Sequence, residues 1–416
     1  GDALKKFYLE NYEETKKTYK FVKLCIVDAD EVKKDAVCFV EREQFLKKQM
    51  NYTPISFDEV FSREFLVYFI SGIAGIGKTC LLRKCLLDWS NGLIWKNVEF
   101  LFYFECRRLN QYQNISNINE LLNIFYPNIL NDFNIYNHSM MFVIDGLDEF
   151  QYLNELINNN SQCQIPIVKV LLDIQKYKSL IAGRINAISQ YENILSECNN
   201  KLTVQIMGFD ENGINCYIEK NVGKETKETL KNIFKESPIA KAMASVPFYL
   251  SSMCTIIAES NHRESFFLTM SDLYASIFVY FLKKHINKNN APVYKMLQEE
   301  NNKQFVFNVC KTAYHLFIEN KVTFSRREIQ NIVNSFDEVE NELSGFIEKI
   351  ETDLGCYYQF VHLTIMEFCV SVYAYNYLTC KEIMVNEKLR NCLPMICGLL
   401  NKDENSFLKF LADIRI

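Results

Sequence analysis

The sequence predicts an α/β fold in which a mainly parallel sheet is covered on both faces by helices. Between residues 56 and 206, continuous apolar runs of strand length alternate with stretches of helical length. Strands that are buried on both faces have this composition, and strands separated by helices pair in parallel. After residue 207 the strand signal fades and helical patterns dominate. We therefore expect a sheet domain followed by mostly helical domains.

The composition restricts the class of partner. The chain has 416 residues, 49% of them apolar, and a formal net charge of −5. This length suggests two to four domains, and a mildly acidic chain is not built to hold nucleic acid through its overall field. No apolar run approaches the roughly 20 residues that a membrane-spanning helix needs. We expect neither a nucleic-acid partner nor a membrane segment.

The cysteines indicate the compartment. There are 15, scattered along the chain without a C-x-x-C pair. This pattern favours free thiols in a reducing compartment over disulfides or a zinc site, and we expect a cytoplasmic protein. The first residue is Gly rather than Met, so the sequence is compatible with a piece of a longer chain.

The elements follow in order. Residues 1–55 predict a helix from Asp2 to Lys20, two short β-like runs at 21–27 and 36–40, and an end at Pro54. In the sheet region, the predicted strands are residues 65–70, 98–104, 140–144, 178–182 and 201–206, and the predicted helices are residues 79–90, 115–125 and 165–177. Asn91-Gly92 stops the first of these helices.

The rest of the chain is predicted to be helical. Residues 208–270 indicate short helices broken at Pro238 and Pro247. Residues 271–376 are mostly helical with one β-like step at 356–361, and the last forty residues are helical again. There is no repeat of fixed period and no leucine-rich pattern in the sequence.

The strongest motif is GIAGIGKT at residues 72–79, which matches G-x-x-x-x-G-K-[ST] between a predicted strand and a predicted helix. Phosphate oxygens need a ring of backbone N–H donors, and a helix N-terminus adds partial positive charge. Lys78 is expected to reach the β- and γ-phosphates, and the Thr79 hydroxyl to bind Mg²⁺. The predicted nucleotide-binding residues of this segment are Gly72, Ala74, Gly75, Ile76, Gly77, Lys78, Thr79 and Cys80.

The second motif is MFVIDGLDE at residues 141–149. An apolar strand that ends in a carboxylate is the Walker B arrangement, and Asp145 is expected to hold the magnesium ion, partly through water. Asp148 and Glu149 follow at positions where a general base orients an attacking water. Taken alone, such acids are often a solvated turn, but the motif upstream favours the catalytic interpretation.

At this point the chain resembles the NACHT branch of the signalling (STAND) P-loop NTPases, whose Walker B motif reads apolar-Asp-Gly-apolar-Asp-Glu. Residues 54–61 resemble the lead-in to the first strand of that family, and residues 86–92 resemble the end of its P-loop helix. Residues 102–110 are similar to a Cys-Arg-Glu-Leu-Asn pattern but carry Arg108 in place of Glu. We assign that loop no role.

Three further residues take their expected roles from the resemblance. Arg184 matches the sensor-one arginine that reads the γ-phosphate, Pro247 in Ala-Ser-Val-Pro matches a proline that packs near the base of ADP, and His362 matches a histidine that contacts the β-phosphate of ADP. The alternatives are a surface arginine, an ordinary helix breaker and a core histidine. The segment around His362, residues 360–368, departs from the family pattern at Met366, where the family carries Gln.

The resemblance implies an order of domains. It comprises a helical or mixed segment at 1–55, a P-loop nucleotide-binding domain at 56–206, a first helical domain at 207–270, a winged-helix domain at 271–376 and the start of a second helical domain at 377–416.

The resemblance also implies a function. It is an ATP/ADP switch that gates oligomerisation of a NOD-like receptor of innate immunity, monomeric with ADP and homo-oligomeric with ATP and Mg²⁺, with slow ATPase activity as a reset. Sensor and effector domains would lie outside these residues. The alternatives are a stand-alone ATPase that does mechanical work, a binding scaffold with a vestigial site, and a bacterial-type NACHT defence protein.

Overall fold

The computed structural model of the protein describes residues 1–19, 22–33, 52–127, 137–158, 164–195, 200–259, 269–286, 299–332, 346–352, 355–400 and 411. The β-like run predicted at 36–40 lies outside these residues. The chain forms two compact units, Gly1–Asn221 with Ser245–Phe248, and Val222–Ala244 with Tyr249–Ile416. No described helix combines the length and the apolar character needed to cross a membrane.

The first unit is built on one six-stranded sheet with the order β1-β6-β2-β5-β4-β3. Its strands are β1 (Cys25–Asp28), β2 (Val67–Ser71), β3 (Phe100–Glu105), β4 (Met140–Asp145), β5 (Lys178–Gly183) and β6 (Lys201–Gly208). All pairs are parallel except β1 with β6. Every residue of β2 and of β4 is buried, as expected of strands covered on both faces. The predicted parallel α/β fold is confirmed.

The helices of this unit surround the sheet. They are α1 (Asp2–Tyr19), α2 (Ala29–Lys33), α3 (Phe57–Ser62), α4 (Lys78–Ser90), α5 (Cys106–Leu109), α6 (Ile118–Phe125), α7 (Leu153–Asn158), α8 (Pro166–Ile174), α9 (Ile185–Ile194) and α10 (Glu211–Asn221). Helix α1 packs on α4 and buries Leu4 and Tyr8. Burial of each such side chain contributes about 1.5–3 kcal/mol, so α1 is part of the core of this unit.

The start of the chain differs from its prediction. The β-like run at 21–27 becomes the four-residue strand β1, which pairs antiparallel with β6 at the sheet edge. The sequence placed this run in a separate segment before the sheet. Short strands carry little pattern of their own, and here pairing with β6 over Ile26–Ile206 and neighbouring positions places the run in the sheet.

Helix limits are set by capping residues that the apolar pattern does not show. The helix predicted at 115–125 begins at Ile118, because the Asn117 side chain accepts a hydrogen bond from the backbone N–H of Glu120. The helix predicted at 165–177 spans Pro166–Ile174, with the proline in its first turn, where its missing N–H costs nothing.

The second unit is mainly helical with a small antiparallel sheet of order β7-β9-β8. Its elements are α11 (Lys224–Glu236), α12 (Pro238–Met243), α13 (Pro247–Glu259, whose first two residues belong to the first unit), α14 (Met270–Ile286), α15 (Glu300–Ile318), β7 (Thr323–Ser325), α16 (Arg326–Ile332), β8 (Ile347–Thr352), β9 (Gly355–Phe360), α17 (Leu363–Tyr377), α18 (Cys380–Val385) and α19 (Leu393–Gly398). Helices α15 and α17 pack along each other.

The single β-like step predicted in this region is one of three strands. Strand β7 has only three residues, and β8 reads I-E-K-I-E-T, where charged residues interrupt the apolar pattern. Neither gives a strand signal by itself, and pairing with β9 decides both. Pro238 and Pro247, predicted to break helices, each begin one, as expected of a residue with φ preset for the first turn.

Candidate functional site

The loop of residues 72–77 connects β2 to α4 and turns through two glycines in the left-handed region. Gly75 has φ +74° and Gly77 has φ +103°. A side chain at Gly77 would be strained, and its Cβ would lie 3.2 Å from Cδ1 of Leu24. Gly77 directly precedes the first turn of α4, so the loop and the helix N-terminus present backbone N–H groups together. The structure brings the predicted phosphate-binding residues together in this turn.

Lys78 is the first residue of α4, and its side chain folds back over the loop. Its Nζ donates hydrogen bonds of 3.0 Å to the carbonyl oxygens of Gly72 and of Ile73. Burial lowers the pKa of Lys78, while the nearby carboxylate of Asp148 acts in the opposite direction. A cation held by two carbonyl dipoles inside the loop is positioned to meet phosphate oxygens that enter it.

Asp145 ends β4 and is 6% exposed. Its carboxylate is hydrogen-bonded by the Thr79 side chain, and the Tyr103 hydroxyl donates to its Oδ2 at 2.8 Å. Burial raises the pKa of Asp145 to about 6, and the nearby carboxylate of Glu105 adds to the rise. A buried carboxylate beside a hydroxyl at the end of the phosphate loop is the hard-oxygen donor set that Mg²⁺ prefers. The residues therefore fit the ion.

Asp148 lies in a 3₁₀ turn (Leu147–Glu149) that follows Gly146. Its Oδ1 accepts the backbone N–H of Arg184 at 2.9 Å, and its Oδ2 lies 3.1 Å from the Nε of Arg184. Arg184 follows the last residue of β5, where the sequence predicted a γ-phosphate sensor. In this structure its guanidinium binds the acidic turn.

Glu149 forms a two-bond ion pair with Arg107. Nη2 of Arg107 donates to Oε1 at 2.7 Å, and Nε donates to Oε2. Asn110 supports the turn: its Nδ2 donates to the Glu149 carbonyl at 2.9 Å, and its Oδ1 accepts from the Gln151 N–H at 2.9 Å. The segment at 102–110, to which the sequence assigned no role, forms the end of β3 and helix α5 and supplies both residues. The Cys-Arg resemblance was the only signal that pointed to it.

Residues 245–248 return to the phosphate loop within the first unit. Phe248 N–H donates to the Gly75 carbonyl at 3.2 Å, and Phe209 N–H donates to the Ser245 carbonyl at 2.7 Å. Cγ of Pro247 lies 3.8 Å from the position that a Cβ on Gly77 would occupy. The predicted proline therefore lies beside the loop. Leu24, which reaches the same glycine, was missed because nothing in its short flanking pattern marks it.

The other predicted residues have plainer positions. Ile76 is fully buried, and burial raises the pKa of the Cys80 thiol, so Cys80 is not an activated nucleophile. His362 belongs to the second unit and precedes α17, where its Nδ1 accepts the backbone N–H of Thr364 at 3.2 Å. The structure thus shows a helix-capping contact for His362, and its contact with a nucleotide stays a prediction.

Comparison with known proteins identifies the sheet region. Residues 66–225 match the family described as NACHT domain. The chain is 22% identical over 347 residues to human NACHT, LRR and PYD domains-containing protein 3, covering 79% of this chain and 32% of that protein. It is 24% identical over 355 residues to the Bos taurus protein of that name, covering 81% and 33%. The chain thus spans about a third of these relatives.

Among solved structures, the chain is similar to the Aeropyrum pernix ORC2 protein with a TM-score of 0.30 and 10% identity, over 88% of this chain and 95% of that one. The family match, the order of the motifs and the geometry of the loop agree with one another. Residues 66–225 are a NACHT domain, and the chain is a NACHT-containing P-loop NTPase that resembles the NOD-like receptors.

Proposed function

We propose that this chain is an ATP/ADP-binding switch that gates oligomerisation in a NOD-like receptor of innate immunity, closed and monomeric with ADP and assembling with ATP. One observation carries the proposal: a complete phosphate loop stands beside an acidic turn in which both acids are held by arginines, Asp148 by Arg184 and Glu149 by Arg107. Such a site binds nucleotide and restrains its hydrolysis.

The restraint follows from the chemistry of the turn. A general base must turn a carboxylate oxygen toward the attacking water, and the two hydrogen bonds from Arg107 fix the orientation of the Glu149 carboxylate. Hydrogen bonds to charged groups are worth about 1.5–3 kcal/mol, so each bond that must open slows hydrolysis by roughly ten- to a hundredfold. Slow hydrolysis suits a timer that resets a switch and does not suit a mechanical ATPase.

Each residue takes a role in this proposal. Lys78 and the loop N–H groups bind the phosphates, and Thr79 and Asp145 hold Mg²⁺, which supplies charge neutralisation at the phosphates when bound. Asp148, Glu149 and Arg184 would act in hydrolysis. Arg184 would read the γ-phosphate after it exchanges Asp148 for a phosphate oxygen, because both are oxyanions that suit a guanidinium.

Pro247 would pack near the base. Its ring lies beside the phosphate loop at Gly77 and is rigid and apolar.

His362 would contact the β-phosphate of ADP in the closed state. Its Nδ1 accepts the Thr364 N–H, which assigns the ring proton to Nε2, and an N–H is the donor that a phosphate oxygen needs. A nucleotide shifts a two-state equilibrium only by its differential affinity for the states. Contacts that exist only in the closed state supply that difference.

The proposal also includes the order of domains along the chain. The sheet of β7, β9 and β8 with helices α14 to α17 supports a winged-helix domain at 271–376, preceded by a helical domain at 207–270 and followed by another from 377. The names of the relatives include LRR and PYD domains. We propose that sensor and effector domains of some kind accompany this chain in the cytoplasm.

The first experiment identifies the bound nucleotide and its effect on mass. The purified protein is denatured, the released nucleotide is separated by ion-pair chromatography, and the native particle is weighed with and without ATP and Mg²⁺. We expect stoichiometric ADP on a monomer and assembly with ATP. A His362→Ala variant is expected to lose ADP and assemble, and a Lys78→Ala variant to bind no nucleotide. Rapid ATP turnover by an unchanging monomer would instead support a stand-alone ATPase.

A further inference from the structure

A tyrosine hydroxyl stands between two carboxylates at the magnesium end of the sheet. Tyr103 and Glu105 lie two positions apart on β3, so their side chains share one face of the sheet, and Glu105 pairs in register with Asp145 of β4. The hydroxyl of Tyr103 lies 2.8 Å from Oδ2 of Asp145 and 3.0 Å from Oε1 of Glu105. A phenol has one hydrogen, so only one carboxylate receives it at a time.

Arg83 makes the two carboxylates unequal acceptors for the Tyr103 hydroxyl. Its Nη2 lies 3.5 Å from Oε1 of Glu105, so Glu105 has a cation of its own. Arg83 and Thr79 stand four residues apart on α4 and therefore on the same face of that helix. Thr79 bonds Asp145, and Arg83 balances Glu105, which leaves the phenol hydrogen for the shorter contact to Asp145.

The backbone of Tyr103 is hydrogen-bonded on the edge of β3 that faces away from β4. Strand β3 is an edge strand, and two tyrosine hydroxyls occupy its outer edge. Tyr126 Oη accepts the Tyr103 N–H at 2.8 Å and donates to the Tyr103 carbonyl at 2.9 Å, while Tyr8 Oη donates to the Leu101 carbonyl at 2.8 Å. These hydrogen bonds hold the backbone of β3 in place, so the phenol of Tyr103 stays beside Asp145.

We infer that Tyr103 is a positioning residue for the magnesium site, whose hydroxyl holds the Asp145 carboxylate in the orientation that receives the ion. The inference rests on the proposed function. The hydrogen bond to Oδ2 fixes the orientation of the carboxylate. Without it, the buried carboxylate beside Glu105 loses one of its donors and turns more freely.

The test compares two tyrosines of the same neighbourhood. Tyr103→Phe removes the hydroxyl that touches Asp145, and Tyr126→Phe removes a hydroxyl that touches only the backbone of β3 and Tyr8. The dissociation constant of a fluorescent ADP or ATP analogue is measured in EDTA and in Mg²⁺, and the ratio of the two constants is the magnesium gain. Loss of one hydrogen bond to a charged group corresponds to about a tenfold change.

We expect Tyr103→Phe to keep the EDTA affinity and to lose about tenfold of the magnesium gain, and Tyr126→Phe to keep the gain. In an Asp145→Asn background, Tyr103→Phe should have no further effect, because the hydroxyl acts through that carboxylate. An unchanged gain in Tyr103→Phe, or equal losses in EDTA and Mg²⁺ by a cooperatively folded variant, overturns the inference. Absence of nucleotide on the wild-type chain refutes the proposed function instead.

If Tyr103→Phe fails to fold, a second variant tests the same inference. Incorporation of 3-fluorotyrosine at position 103 keeps the ring and the hydroxyl and makes the phenol a stronger donor. The magnesium gain is then expected to equal or exceed that of the wild type. A gain that falls below the wild-type value in this protein contradicts the positioning role.

Discussion

Replacing Arg107 by alanine is expected to raise basal ATP hydrolysis. The guanidinium holds both carboxylate oxygens of Glu149, and the two side chains are only 19% and 16% exposed. Because the pair is largely shielded from water, its bonds keep most of their strength, about 1.5–3 kcal/mol for the one that must open. Removing that barrier corresponds to a rate increase of roughly ten- to a hundredfold. The unpaired buried carboxylate also lowers the free energy of unfolding by about 1–3 kcal/mol.

The assay is single-turnover hydrolysis of γ-labelled ATP by protein in excess, which removes product release from the rate. Arg108→Ala is the matched control, because the guanidinium of Arg108 lies over the Phe125 ring at 4.8 Å and makes no described bond to Glu149. Arg107→Ala with Glu149→Gln should return to the wild-type rate or below. A folded, ATP-binding Arg107→Ala variant that hydrolyses no faster than wild type would refute the argument that Arg107 restrains Glu149.

Three further predictions concern the protonation of Asp145, the tyrosine contacts at the edge of β3 and the glycines of the phosphate loop. The pKa of Asp145 is about 6 when folded against an ordinary 3.8, so the folded state binds the extra proton. Its contribution to stability therefore falls as pH rises from about 4 to 6, and Mg²⁺ affinity weakens about tenfold per pH unit below 6; a magnesium titration that is flat from pH 5 to 7 contradicts this. Tyr8→Phe removes a buried hydroxyl from the edge of β3 and is expected to lower the free energy of unfolding in urea by about 1–2 kcal/mol. Tyr12→Phe is the control, and equal effects of the two would speak against the edge contact. Gly77→Ala forces a side chain at φ +103° against its neighbour and is expected to abolish ADP binding, whereas Gly92→Ala, at φ +71° with open space around it, should cost about 1 kcal/mol of stability and leave binding intact. Calorimetric titration with ADP separates these outcomes.

The two acids of the turn, Asp148 and Glu149, are each paired with a different arginine. Asp148 and Glu149 are neighbours, yet their arginines come from opposite directions along the chain, Arg184 after β5 and Arg107 after β3. In the proposed mechanism Arg184 leaves Asp148 for a γ-phosphate, since a phosphate offers the same kind of acceptor. Arg107 has no such exchange in the proposed mechanism, so we expect its ion pair with Glu149 to limit the rate of hydrolysis.

Local sequence patterns predicted much of the fold. Apolar runs marked all five parallel strands, because strands covered on both faces must be apolar throughout. The motifs at 72–79 and 141–149 were readable for a related reason: a phosphate loop needs its glycines, lysine and hydroxyl within one turn, and the Walker B pattern is an apolar strand that ends in a carboxylate. Those requirements act between neighbours in sequence.

Other features depended on partners far away in the chain. Strands β7 and β8 are too short or too polar to show a period, and each exists through its pairing. The β-like run at 21–27 is visible in the sequence, but its place in the sheet depends on its pairing with β6. The helix at 118–125 was placed three residues too early because one asparagine cap outweighs an apolar residue at 115.

The sequence by itself predicted the phosphate-loop motif, the carboxylate proposed to hold magnesium and the parallel sheet that aligns them, since each rests on contiguous residues. Only the tertiary structure decided what restrains and orients these groups. Arg107 reaches Glu149 across 42 residues, and the Tyr103 hydroxyl reaches Asp145 across the same separation. Both contacts are possible because β3 and β4 lie side by side in parallel and end at the same edge of the sheet. Adjacency of strands in a sheet is a property of the whole fold, and no window of sequence contains it.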